Sequence, residues 1–176
     1  IGDGWIWVLF DLGFICLYQS FLLSAMSWPF WGLSTIPTSG LTQIDMGLAF
    51  LFASFLCAGT VCDERQWAFQ QAKVYFLTLK GKAQQREFLK HQELHVQRAI
   101  KDDRIRQDVI RGFCTSGTFE FSRHLNFFCE MMLWWVLYGF YLSGVFNHTE
   151  DIALAELWPA TGAFLLTLLF QGSTYL

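Results

Sequence analysis

Long apolar stretches broken by one block of charge dominate the pattern along the chain. Trp5–Trp28 is apolar except around Asp11 and Gln19, and it closes at Pro29. Ile44–Cys62 follows, with Asp45 at its entrance and Asp63-Glu64-Arg65 at its exit. Phe127–Phe146 is a third stretch, ending at Asn147-His148-Thr149-Glu150-Asp151. Ile152–Phe170 is a fourth, with Glu156 near its start and Pro159 as a bend. A helix needs about 20 mostly apolar residues to cross hydrocarbon. The pattern therefore predicts an all-α polytopic membrane helix bundle of about four transmembrane helices (5–28, 44–62, 127–146 and 152–170) in a single membrane domain, 1–176. Four such stretches leave too little polar surface for a soluble helical protein.

The charged block, 63–126, is not linker-like. Residues 63–123 contain no Pro, and Gly only at Gly81, Gly112 and Gly117. Lys82–Arg111 mixes Gln, Glu, Lys, Arg and His with Phe88, Leu89, Val96, Ile100, Ile105, Val109 and Ile110. This predicts one or two surface helices laced with pairs such as Asp102–Arg106 at i,i+4.

Composition strengthens the membrane reading. Only 15% of residues are charged and 53% are hydrophobic, against about 25% charged in a soluble domain. Disorder, a collagen-like chain and a basic nucleic-acid binder are excluded, and no nucleic-acid partner is expected at a net charge of -3. All 12 Lys and Arg lie between Arg65 and Arg123. By the positive-inside rule, that segment faces the cytoplasm, or the matrix or stroma of an organelle.

The five cysteines are odd in number and lack metal-ligand spacing. His91 and His95, with Glu87 one turn earlier, would share a helix face. The order His91-Gln92-Glu93-Leu94-His95 lacks the Glu directly after the first His that a metalloprotease needs, so a solvated face outweighs zinc and no metal is expected. Gly112–Gly117 has neither the spacing nor the flanking strand of a phosphate-binding loop.

Polar residues in the spans are more informative, because hydrocarbon makes them expensive unless they are paired or used. Asp11 and Tyr18, seven apart, are expected on one helix face with Gln19 beside it, pointing into the bundle. Asp63, Arg123, His124, Asn126 and Gln171 reach the inner rim, with Asn126 as a helix N-cap. A helix N-terminus beside an Arg favours phosphate. An interfacial anchor with structural helix–helix hydrogen bonds explains the same residues.

The string from Thr115 through Ser122-Arg123-His124-Leu125-Asn126 to Glu130, followed by Trp134-Trp135, resembles the signature of the steroid 5-alpha-reductase-like membrane superfamily. It is most similar to the branch long labelled a domain of unknown function. Phe10-Asp11 through Tyr18-Gln19, Cys62-Asp63 through Gln70, and Leu169 through Thr174 resemble that branch too. The likeness covers most of the chain outside 80–110. It implies an inner-side NADPH site and reduction of a polarised double bond in a lipid or sterol, with location in the endoplasmic reticulum or an organelle inner membrane. Some relatives instead methylate with S-adenosylmethionine. Carried over, Asp63, Arg123, Asn126 and Glu130 match cofactor-holding positions, and Tyr18 and Gln19 are the catalytic candidates at substrate depth.

The departures are specific. Leu125 replaces the family's Pro, leaving the junction before the third span freer and placing an apolar side chain where a charged cofactor would approach. Gly59 replaces an acidic residue. Relatives also carry further helices before Asp11 and a polar tail after Thr174, so the chain is expected to be either a piece of a longer protein or the holder of an incomplete site. The second implies a non-catalytic, lipid-binding or accessory subunit of a larger membrane complex. Membrane lipids are expected partners in both cases.

The charge asymmetry generates a direct expectation. Single cysteines at Ser39 and Lys90 of an otherwise cysteine-free chain should react with an impermeant thiol reagent from opposite sides of the membrane. Labelling from the same side contradicts the topology.

Overall fold

The computed structural model describes residues 4–37, 40–148 and 154–175. Every element among them is helical. The order is α1 (Gly4–Phe10), a π-helical stretch (Asp11–Tyr18), α2 (Gln19–Thr35), α3 (Gln43–Leu77), α4 (Lys82–Lys90), α5 (Leu94–Lys101), α6 (Asp103–Arg111), a 3-10 turn (Gly117–Glu120), α7 (Leu125–Phe146), a second 3-10 turn (Leu154–Ala160) and α8 (Thr161–Tyr175). Among the described residues, three helices are long and apolar enough to cross a membrane: Trp5–Thr35, Gln43–Leu77 and Leu125–Phe146. Hydrocarbon offers no hydrogen-bond partners, so helices that satisfy their own backbone are the stable form for such sequences.

The spans run past the boundaries expected from polarity. Pro29 lies inside α2, which continues to Thr35. Its ring removes one amide donor, whereas ending the helix there would release several backbone groups at once. Asp63-Glu64-Arg65 ends the apolar stretch but not α3, which meets no breaker before Leu77. The fourth stretch is shorter than expected: Leu154–Ala160, containing Pro159, is a 3-10 turn, and α8 has 15 residues. That is roughly 22 Å of α-helix, against about 30 Å of hydrocarbon. Residues 152 and 153 of the expected span lie outside the described residues.

The chain forms two compact units. The first comprises residues up to Phe55 and from Glu130 onward. Here α2 and α8 meet with almost no side chain between them: a Cβ on Gly162 would lie 2.5 Å from the Met26 amide nitrogen. Gly32 similarly admits the Tyr141 ring, which would stand 2.5 Å from an added Cβ. Small residues at such crossings are how membrane helices gain dispersion contact where lipid supplies no hydrophobic drive. The Trp135 indole donates to the Thr167 hydroxyl at 3.1 Å, and Trp158 packs against the rings of Trp28 and Trp31. At the start of α3, Thr42 and Asp45 cap each other: Asp45 Oδ2 accepts from the Thr42 amide at 2.9 Å, and Thr42 Oγ1 accepts from the Asp45 amide at 3.2 Å.

The second unit, Leu56–Cys129, contains the charged block. It holds three short helices rather than one or two. Its core joins Cys62, Phe69 and Ala72 of α3 to Val96, Ala99 and Ile100 of α5, Val109 of α6, and Cys114 and Phe119 beyond it. Asp102 makes the break between α5 and α6. Its backbone is extended, and its carboxylate accepts from the Arg104 amide at 2.9 Å as the N-cap of α6. The carboxylate therefore caps a helix instead of pairing with Arg106, whose guanidinium lies over the Phe76 ring. Gly112, at φ 93°, closes α6 with its amide on the Asp108 carbonyl at 2.9 Å.

The Gly162 contact can be tested by substitution. Gly162→Ala should destabilise the detergent-solubilised protein by about 1–3 kcal/mol through overpacking. Gly172→Ala, with open space around its Cβ, should be neutral or stabilise by up to about 1 kcal/mol. Equal melting temperatures for the two variants would contradict the close approach.

Candidate functional site

Asp108 organises the loop that carries most of the family-like residues. It occupies the inward stripe of α6 with Ile105 and Val109, and it is 1% exposed. Its carboxylate accepts from the Thr115 amide at 2.8 Å and the Thr115 hydroxyl at 2.5 Å. Arg111 approaches it at 3.5 Å. Burial pushes the carboxyl pKa up, but hydrogen bonds from the side chains and amides of Thr115 and Ser116 outweigh this and hold it below the usual carboxylate range. The loop is thus tied at Thr115 and Ser116 before it turns at Gly117. That glycine has φ 67°, and a Cβ there would overlap the Arg65 guanidinium. The position needs glycine for both reasons.

From this anchor the chain passes through the 3-10 turn, with Phe119 buried, into α7. The His124 amide donates to the Ser122 hydroxyl at 3.2 Å, and the Phe128 amide donates to the His124 carbonyl at 3.0 Å. Asn126 is therefore already inside α7, which begins at Leu125, and the expected N-cap role is not its own. Leu125 packs on the apolar core of the second unit. Its side chain is used there, contrary to the expectation that it would stand in the path of a charged ligand. Arg123 sets its guanidinium 4.1 Å from the centre of the Phe113 ring, a cation–π contact that orients it without neutralising it. Asp63 is exposed and Asn126 half-buried, and among the described residues no hydrogen bond or ion pair joins Asp63, Arg123 and Asn126.

Three other candidates belong to the first unit. Glu130 is exposed and accepts from the Trp134 indole at 2.9 Å. Tyr18 is half-buried, stacks on Phe14 at 5.4 Å and packs against the Leu22, Met26 and Leu166 cluster. Gln19 is exposed, as is Asp11, so of the three residues expected to point inward only Tyr18 is partly enclosed. Nor do Asp11 and Tyr18 share a face. They bound the π-helical stretch, whose i→i+5 winding is wider than that of an α-helix. Seven residues make two α turns but well under two π turns.

The His91, His95 and Glu87 trio is divided. His91 follows α4 and meets Glu87 at 3.2 Å, whereas His95 lies in α5 and meets Glu93 at 3.2 Å. Among the described residues no three His, Cys, Asp or Glu side chains are grouped to hold a metal. Sequence reasoning overlooked Asp108. The available signal was an acidic residue on the apolar stripe of a short amphipathic helix, followed seven positions later by Thr-Ser.

The family model described as a protein of unknown function (DUF1295) matches residues 3–174. The chain belongs to this family. The match spans both units, so the family's pattern includes the apolar helices as well as the Thr115–Glu130 string. No curated protein and no solved structure matches the chain.

The anchor has a pH signature. Because the folded pKa of Asp108 is depressed, its stabilisation is present above the unfolded value of about 3.9 and is lost as pH falls through the folded pKa. Asp108→Ala leaves the half-buried Thr115 donors without their carboxylate partner, with an expected loss of about 1–3 kcal/mol at pH 7. Thermal melts should show the two proteins converging as the acid range is entered. A constant difference down to pH 2 would contradict the ionised anchor.

Proposed function

We propose that the chain carries the nicotinamide site of a steroid 5-alpha-reductase-like membrane protein and acts as an NADPH-dependent reductase of a lipid or sterol double bond. NADPH, when bound, would supply a hydride to the polarised C=C bond. The observation that carries this reading is the seating of Leu125 in the core, which leaves the Ser122-Arg123-His124-Leu125-Asn126 element free of apolar obstruction. The Asp108 anchor holds the start of the same loop.

In this reading Arg123, oriented on Phe113, pairs a phosphate of the cofactor. Asn126, the second residue of α7, bonds amide or ribose groups, with Asp63 as a further polar contact. The resemblance alone adds Glu130 as a cofactor-holding position and Tyr18 and Gln19 as the catalytic candidates. The 3-10 turn and α8 together make the fourth crossing, and the Lys- and Arg-bearing segment faces the cytoplasm in an endoplasmic-reticulum membrane, or the matrix or stroma in an organelle inner membrane.

A second reading rests on a specific observation. Arg123 already has an aromatic partner and Glu130 an indole partner, so two of the four cofactor-holding positions are engaged within the protein. This suits a non-catalytic member that serves as a lipid-associated accessory subunit of a larger membrane complex.

Calorimetric titration of the chain in lipid nanodiscs with NADPH separates the two. The reductase reading expects saturable binding, weakened about tenfold or more by Arg123→Gln, the size expected on losing a charge-assisted phosphate contact. Leu125→Pro should change affinity only a few-fold, since Leu125 is the first residue of α7, where Pro fits. Absence of saturable binding favours the accessory subunit.

A further inference from the structure

A second polar site lies within the charged unit, and its lining contains none of Asp63, Arg123 and Asn126. It is a cavity of about 420 Å³ whose lining includes Arg65, Arg98, Arg104 and His95, with Glu64 and Asp102 also in its wall. That size suits a small ligand. Arg98, Arg104 and His95 come from the stretch 80–110, outside the motifs that carry the sequence resemblance.

The state of these groups suggests what the cavity takes. Among the described residues, Arg65 and Arg98 make no ion pair, and Arg104 meets Glu120 only at 3.9 Å. His95 turns Nδ1 towards Glu93 at 3.2 Å, and its Nε2 is buried without a hydrogen-bond partner. Asp102 uses one carboxylate oxygen to cap α6 at the Arg104 amide and keeps its charge in the cavity wall. Arg65 is also held in place, lying where the absent side chain of Gly117 leaves room for it. The three guanidinium groups of the lining outnumber its two carboxylates, Glu64 and Asp102, and guanidinium groups suit an oxyanion, which they bind through paired N–H donors.

We propose that this cavity binds a phosphate-bearing anion, through Arg65, Arg98 and Arg104. The phosphate belongs either to a free phosphorylated ligand or to a lipid headgroup, and both present the same chemistry to the site. The inference does not depend on the nicotinamide reading.

The test uses the full chain in nanodiscs and inorganic pyrophosphate as the probe. Pyrophosphate should bind saturably to the wild type in phosphatidylcholine discs and lose at least about tenfold in affinity in the Arg98→Gln/Arg104→Gln variant. Arg98 and Arg104 are both exposed, so the variant is expected to fold, which its melting temperature checks. Arg106→Gln is the control: Arg106 is also on α6 but lies over Phe76, outside the cavity lining, and its loss should leave binding unchanged. Repeating the titration in discs containing phosphatidate distinguishes the sources. Competition by phosphatidate assigns the site to a headgroup, and undiminished pyrophosphate binding assigns it to a free ligand. Absence of saturable binding by either probe overturns the proposal. So does an equal loss in Arg106→Gln, which would reduce the effect to diffuse positive charge.

Discussion

Hydrocarbon cannot hydrogen-bond a peptide group, and most of this structure follows from that constraint. Each apolar stretch must satisfy its backbone internally, which accounts for α2 continuing through Pro29. The same constraint shifts the burden of holding helices together from solvent exclusion to shape. Hence the contacts that matter around α2, α7 and α8 include close approaches at Gly32 and Gly162, the tilted and edge-on packing of Trp158 on Trp28 and Trp31, and the Trp135–Thr167 hydrogen bond. Hydroxyl groups in the long helices donate locally to backbone carbonyls, as Ser24 of α2 and Ser54 and Thr60 of α3 do.

The charged unit obeys ordinary aqueous rules. Its short helices are amphipathic, are broken where Asp102 and Gly112 provide caps, and bury a small core against the end of α3. At its centre an ionised carboxylate is taken out of water and stabilised by hydroxyl and amide donors instead of by a full salt bridge. Such an arrangement contributes little net stability but leaves few alternatives for the loop, because any other conformation strands the carboxylate. That restriction is what positions Gly117 against Arg65 and leads the chain into α7.

The apolar spans and the segregation of charge were legible because both are properties of composition over long windows. The Thr115–Glu130 string was legible as a resemblance. What was hidden depends on single contacts. The winding of Asp11–Tyr18 turns on backbone hydrogen-bond register, which no spacing rule records, and its change placed Asp11 and Tyr18 on different faces. The division of His91 from His95 arises from a break after Lys90 in a stretch without Pro or Gly. Leu125 looked like an obstruction only because its side chain could not be assigned to the core from sequence. Gly59, which departs from the family's acidic residue, lies against Cys129 with room for a side chain at 3.4 Å, and packing does not explain its identity.

The proposed transfer of hydride from NADPH to a lipid has a direct readout. The most direct measurement supplies NADPH carrying deuterium at the transferable position to the purified chain in native lipid extract, followed by mass spectrometry of the lipids. A lipid or sterol species should gain one deuterium on one carbon and a solvent proton on its neighbour, with the gain reduced about tenfold at limiting NADPH in Arg123→Gln. NADPH that binds saturably while no lipid acquires deuterium would contradict the transfer.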